Sequence, residues 1–111
     1  MIHAKKILPE YFEASLAGRK SFELRREDPD EPPYSVGDYL ALNEFDPSEE
    51  PVGDGFTGRC LLYEITYVLR GHELLRSDTV ILGLRLKPLS FDDIPKKTSQ
   101  VTLEPVNMAL Y

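Results

Sequence analysis

The segment Gly18-Arg19-Lys20-Ser21-Phe22-Glu23-Leu24-Arg25 carries the grouping of side chains best suited to chemistry in this chain. A lysine such as Lys20 can contact a phosphate or a carbonyl, or act as a base once its pKa is lowered. Arg25 can fix a phosphate or a base edge through paired N–H donors. Glu23 can accept from an exocyclic amine, as a carboxylate does from the amino group of cytosine. A plainer outcome is equally compatible with the spacing. Glu23 and Arg25 lie two residues apart on one strand face and can pair with each other, while Lys20 compensates the carbonyls at a helix end. In extended backbone Phe22 and Leu24 point one way and Ser21, Glu23 and Arg25 the other, so a strand with one dry and one ionisable face is expected. The ionisable face belongs on a cleft wall or at the surface.

Other chemistries find no support in residue spacing. His3, His72 and Cys60 lack metal-ligand spacing, so no metal is expected. The carboxylates between Asp46 and Asp54 are interrupted by Pro47 and Pro51 and do not follow the twelve-residue calcium loop. Gly53-Asp54-Gly55 is too short and too acidic to cradle phosphate, and no Ser-His-Asp arrangement is readable. Cys60 lies in an apolar, strand-like run and reads as a buried, inert thiol. Tyr34, Tyr39 and Phe45 are available either to stack on a base or to serve as ordinary barrel residues.

The elements that must position these groups follow from periodicity. Ile2–Ile7 reads as a short strand. Pro9 suits the first position of a helix, and Leu8, Phe12 and Leu16 form a stripe at four-residue spacing. Glu10 and Glu13 sit near its N-terminus, and Gly18 supplies a left-handed cap at the other end. Asp28-Pro-Asp-Glu-Pro-Pro is a loop, and Val36-Gly37-Asp38 a turn into a strand Tyr39–Phe45 with Leu40 and Leu42 inside. Asp46–Gly58 reads as an acidic, exposed loop. Arg59–Leu69 alternates with Leu61, Tyr63, Ile65 and Tyr67 on one face, and both its faces are partly apolar, so it is expected to be central. Thr79–Lys87 is a further strand with Val80, Leu82, Leu84 and Leu86 inward, and Gln100–Leu103 a possible edge strand. One helix with five or six short strands predicts an α+β, mostly β fold: a small, mainly antiparallel barrel with the helix plugging one end.

At 111 residues the chain makes one domain, and 41% apolar content suits a globular protein. No apolar stretch approaches the roughly 20 residues of a membrane helix, and the N-terminus lacks a signal-peptide pattern. A single cysteine fits a reducing, cytoplasmic compartment. The net charge of −6 argues against a general nucleic-acid binder. Its distribution is uneven: residues 1–26 carry +3, residues 27–55 carry −10 without a single Lys or Arg, and residues 56–111 carry +1. Positive charge therefore gathers around Lys20, and the acidic block is either a solvated loop or a protein-interaction surface.

The order His3, Lys5-Lys6-Ile7-Leu8-Pro9-Glu10-Tyr11-Phe12, Leu16 to Arg25, then Val36-Gly37-Asp38-Tyr39-Leu40 and Thr57-Gly58-Arg59, resembles ASCH domains of the PUA-like superfamily, most closely a small bacterial and phage family of unknown function. The resemblance spans about residues 2–87, leaving 88–111 as an extension expected to pack on the same domain. It implies a PUA-like pseudobarrel with a cleft beside the helix and the first long strand. It also implies binding of RNA, a nucleotide or a modified nucleoside by His3, Lys5, Arg19, Lys20, Ser21, Glu23 and Arg25, with no cofactor. Some similar ASCH domains are amidohydrolases that deacylate N4-acetylcytidine, using a lysine at the place of Lys20, a threonine three residues later and a distant glutamate. Here Glu23 stands where that threonine belongs, and Glu64 and Glu73 are the candidates for the distant carboxylate. In that reading Lys20 and Glu23 would be catalytic, and hydrolysis would require Lys20 and a carboxylate to converge within hydrogen-bond reach.

Overall fold

A computed structural model describes residues 1–49 and 53–87. β1 (Ile2–Ile7) leads into α1 (Pro9–Leu16), followed by β2 (Phe22–Arg26) and β3 (Tyr39–Phe45). A short 3-10 turn at Pro47–Glu49 precedes β4 (Phe56–Leu69) and β5 (Thr79–Leu86). The strands form one sheet in the order β1-β3-β4-β5-β2. β1 runs parallel to β3, and the other neighbouring pairs are antiparallel. The sheet curls into a half-barrel with the helix directly after the first strand, the α+β, mostly β class that the sequence indicates. The proposed strand at Gln100–Leu103 and the 88–111 extension lie outside the described residues.

Pro9 opens α1 after an extended Leu8, and Gly18 closes it at φ +77°, while Arg19 N–H reaches back to the Ala14 carbonyl at 2.9 Å. The expected apolar stripe is only partly right. Phe12 is buried, but Leu16 is 51% exposed and Ser15 is buried in its stead. At 100° per residue Leu8, Tyr11 and Ser15 lie on one flank of Phe12 and Leu16 on the other. Turning the first flank to the sheet swings Leu16 out to solvent.

The core fills the concave side, where Phe12 meets Leu40, Leu42, Ile65, Val80 and Leu82. A smaller cluster of Ala4, Ala41 and Leu62 covers the opposite face, which explains why β3 and β4 are apolar on both sides. β4 begins at Phe56 rather than Arg59, so Phe56-Thr57-Gly58 is strand and not loop. Farther along β4 the register with β5 shifts between Ile65 and Tyr67. Ile65 pairs with Leu84, but Tyr67 pairs with Gly83 and Val68 with Leu82, so Thr66 is an inserted residue that inverts the alternation. Tyr67, expected inside, is 62% exposed, and Val68 packs on the core. Leu86, also expected inside, is exposed at the end of β5.

β2 corrects the sequence reading most sharply. Its register with β5 sets Glu23 opposite Leu82 and Arg25 opposite Val80, both core residues. The ionisable face is therefore the inner one, with Glu23 and Arg25 fully buried, while Phe22 is 46% exposed and Leu24 half-buried.

Candidate functional site

β1 and β2 are the two edges of the curled sheet, and the inner face of each carries charge. From β2, Glu23 Oε2 accepts from Arg25 Nε at 3.0 Å, and Glu23 Oε1 accepts from Lys20 Nζ. All three side chains are buried, so the chain sets a carboxylate between two cations out of contact with bulk water. Arg25 Nη2 also donates to the Lys6 carbonyl of β1 at 2.6 Å. One arginine thus ties both edges of the half-barrel together.

Isolated burial of an ion costs several kcal/mol, and hydrogen bonds to both oxygens are what make it tolerable here. Burial raises the Glu23 carboxyl above its ordinary value, and the Arg25 and Lys20 charges and hydrogen bonds counter that only in part. A carboxyl raised in this way is a stronger proton acceptor than an ordinary glutamate.

Two aromatic rings flank Lys20. Its ammonium lies 5.8 Å from the Tyr11 ring centroid and 5.3 Å from that of exposed Phe22. Deeper in, Tyr63 of β4 and Ser15 of α1 are buried beside the cluster, and the Tyr63 pKa responds to Ser15 and to the Glu23 charge. Ser15 lies near enough to lower the Tyr63 pKa, yet neither hydroxyl makes a hydrogen bond of full geometry.

The β1 side carries its own pairs. His3 Nε2 lies 2.8 Å from Asp38 Oδ2, and the His3 ring packs on Tyr34 with centroids 4.6 Å apart and the planes tilted by 45°. Lys5 Nζ donates to Glu31 at 2.8 Å and lies 5.8 Å from the same Tyr34 ring. Burial raises the Asp38 carboxyl, but the His3 hydrogen bond and charge, the terminal ammonium and the Ser35 N–H together hold it below its ordinary value.

Of the residues singled out in the sequence, His3, Lys5, Lys20, Glu23 and Arg25 lie buried on the concave side. Arg19 and Ser21 do not join them: both are exposed at the helix–strand junction, and Ser21 contributes its carbonyl to Leu84 N–H at 3.0 Å. Glu64 pairs with Arg85 at 2.9 Å, and Glu73 is exposed on the β4–β5 connection, so neither supplies a distant carboxylate to Lys20. Phe45 is buried edge-on against Phe56 and cannot stack on a base, and Tyr39 packs with the small cluster on the opposite face. Burial pushes the Cys60 thiol up to about 11, which keeps it protonated and unreactive at neutral pH. Arg59 ties Glu13 of α1 to Glu44 of β3, a bracing role for the Thr57-Gly58-Arg59 segment.

Sequence reasoning missed Tyr11, Phe22, Ser15 and Tyr63. Phe22 was hidden by the inverted parity of β2. Tyr11 and Ser15 were overlooked beside the nominal stripe of Leu8, Phe12 and Leu16. A separate open cavity of about 320 Å³ lies over Leu24, Arg26, Leu74, Leu75, Arg76 and Thr79 and shares no residue with the charged cluster. Among the described residues no three metal-ligating side chains come together, and no helix is long and apolar enough to cross a membrane.

No curated protein matches the chain. Residues 2–84, three quarters of its length, match a family described as a domain of unknown function, DUF3850, and the chain belongs to that family.

Proposed function

We propose that the domain binds a nucleobase, as a free modified nucleoside or a single unpaired base, at the Lys20–Glu23–Arg25 cluster. The observation that carries this reading is the buried carboxylate held between two cations and flanked by rings, with unpartnered hydroxyls behind it. Glu23 has lone pairs left to accept from an exocyclic amine. Exposed Phe22 and half-buried Tyr11 offer faces for stacking, which is tolerant of base identity. Recognition of long RNA through its phosphates is the less favoured form. Lys5, Arg59, Arg70 and Arg85 are each engaged by carboxylates, and the net charge is −6. The resemblance to ASCH domains points in the same direction.

A second reading, hydrolysis of the N4-acyl group of an acylated cytidine, is favoured by one specific contact: Lys20 Nζ hydrogen-bonded to a buried carboxylate. In that reaction Glu23 would take a proton from water, the resulting hydroxide would add to the acyl carbonyl, and the C–N bond would break. The amine would leave with a proton relayed by Lys20, giving cytidine and a carboxylate. The absence of a threonine at position 23, and of Glu64 or Glu73 from the cluster, sets this reading second.

The test is calorimetric titration with cytidine, uridine and N4-acetylcytidine, with products followed by mass. Wild type is compared with Lys20→Met and Glu23→Gln. Saturable binding weakened at least tenfold in both variants supports recognition. Release of acetate, abolished by Glu23→Gln, establishes the second reading. No heat and no product at millimolar nucleoside overturns both.

A further inference from the structure

We propose that the Ser15 and Tyr63 hydroxyls form a donor pair that receives a carbonyl oxygen of the bound ligand and thereby sets the specificity of the charged site. The inference rests on the nucleobase reading above and deepens it. Its basis is that both side chains are more than nine-tenths buried, yet neither hydroxyl is hydrogen-bonded. A buried hydroxyl without a partner is destabilising, and such groups in folded proteins call for an explanation. These two come from different elements, α1 and β4, and converge on one spot within reach of the Glu23 charge. Two neighbouring hydroxyls that make no full hydrogen bond with each other can both turn their protons toward a third atom that approaches both. A carbonyl oxygen, with two lone pairs, accepts from both.

The electrostatics suit this role. Burial, opposed in part by Ser15 and assisted by the Glu23 charge, raises the Tyr63 pKa, so the phenol keeps its proton and remains a donor. The site then offers an acceptor in Glu23 and donors in Ser15 and Tyr63, complementary to a ring that presents an amine and a carbonyl on one edge. The carbonyl has two possible sources, the ring itself or an acyl substituent on its amine.

Tyr63→Phe and Ser15→Ala each remove one oxygen and little else. If the hydroxyls serve a ligand, their loss relieves an unsatisfied group in the free protein. The ligand-free melting temperature of Tyr63→Phe then rises by a few degrees while its affinity for nucleoside falls about tenfold, the size of one lost hydrogen bond. Ser15→Ala should behave alike, with part of its gain coming from the higher helix propensity of alanine. Titration with cytidine and N4-acetylcytidine separates the sources of the carbonyl. Equal losses for both assign the ring carbonyl, and a loss confined to N4-acetylcytidine assigns the acyl carbonyl. Unchanged affinity for both, with wild type binding normally, overturns the donor pair while leaving the nucleobase reading intact. A lower melting temperature in Tyr63→Phe also overturns it, because the hydroxyl would then hold the fold. Should wild type bind neither nucleoside, the nucleobase reading falls, and the melting temperature alone decides whether the pair is free to serve a ligand.

Discussion

Lys20 and Glu23 show how much of the site depends on single groups. Each oxygen of the Glu23 carboxylate accepts from one cation, Oε1 from Lys20 and Oε2 from Arg25. Replacing Lys20 by Met leaves one oxygen of a buried anion without its donor. Breaking a buried pair by removing one partner costs about 3–5 kcal/mol, so Lys20→Met should unfold at a markedly lower urea midpoint at pH 7. The carboxylate, not the lost lysine packing, is the source of that cost. Adding Glu23→Gln to Lys20→Met should therefore restore part of the midpoint, a coupling visible in a double-mutant cycle. If the double variant is no more stable than Lys20→Met, the unpaired charge is not what destabilises it.

At the scale of elements, inserting one residue into a strand determines which side chains are core. Thr66 breaks the alternation of β4, so the face that reads Leu61, Tyr63, Ile65, Tyr67 in the sequence continues in space through Val68. Val68→Ala should cost about 1–2 kcal/mol, whereas Tyr67→Ala should stay within about 0.5 kcal/mol, as measured by urea unfolding. The reverse ranking would place Tyr67 in the core.

The same strand shows what was legible in the sequence and what was not. Ile2–Ile7, Tyr39–Phe45 and the helix from Pro9 to Leu16 were readable because hydrophobic period, Pro and Gly mark them locally. The orientation of β2 was not. Apolar Phe22 and Leu24 claim the inside by any local rule. Only the pairing with β5, some sixty residues away, turns Glu23 and Arg25 inward. Two charged side chains can occupy a core only with partners, and those partners, Lys20 and the Lys6 carbonyl, come from separate elements. Five of the seven candidate ligand residues do gather on the concave side. Arg19 and Ser21 face solvent in the turn between α1 and β2.

For the molecule as a whole, two sets of carboxyls pull stability in opposite directions with pH. The Glu27 carboxyl is held below its ordinary value, chiefly by Arg70, and that of Glu44 chiefly by Arg59, joining Asp38, which is held low mainly through His3. A group with a lowered folded pKa adds stability that is present above its unfolded pKa, near 4, and is lost as pH falls through the folded pKa. Glu23 has the opposite sign. Its folded pKa is raised, so its contribution is full below the unfolded value and is lost as pH rises through the folded one. The urea midpoint should therefore climb from pH 3 to a maximum in the mildly acidic range and decline as Glu23 ionises. In Glu23→Gln position 23 no longer titrates, so the climb should persist and the decline disappear. A wild-type midpoint that rises steadily to pH 7 would mean that Lys20 and Arg25 outweigh burial at Glu23. The cluster would then be an ion pair that holds the edges of the half-barrel together rather than a site poised to exchange a proton or receive a ligand.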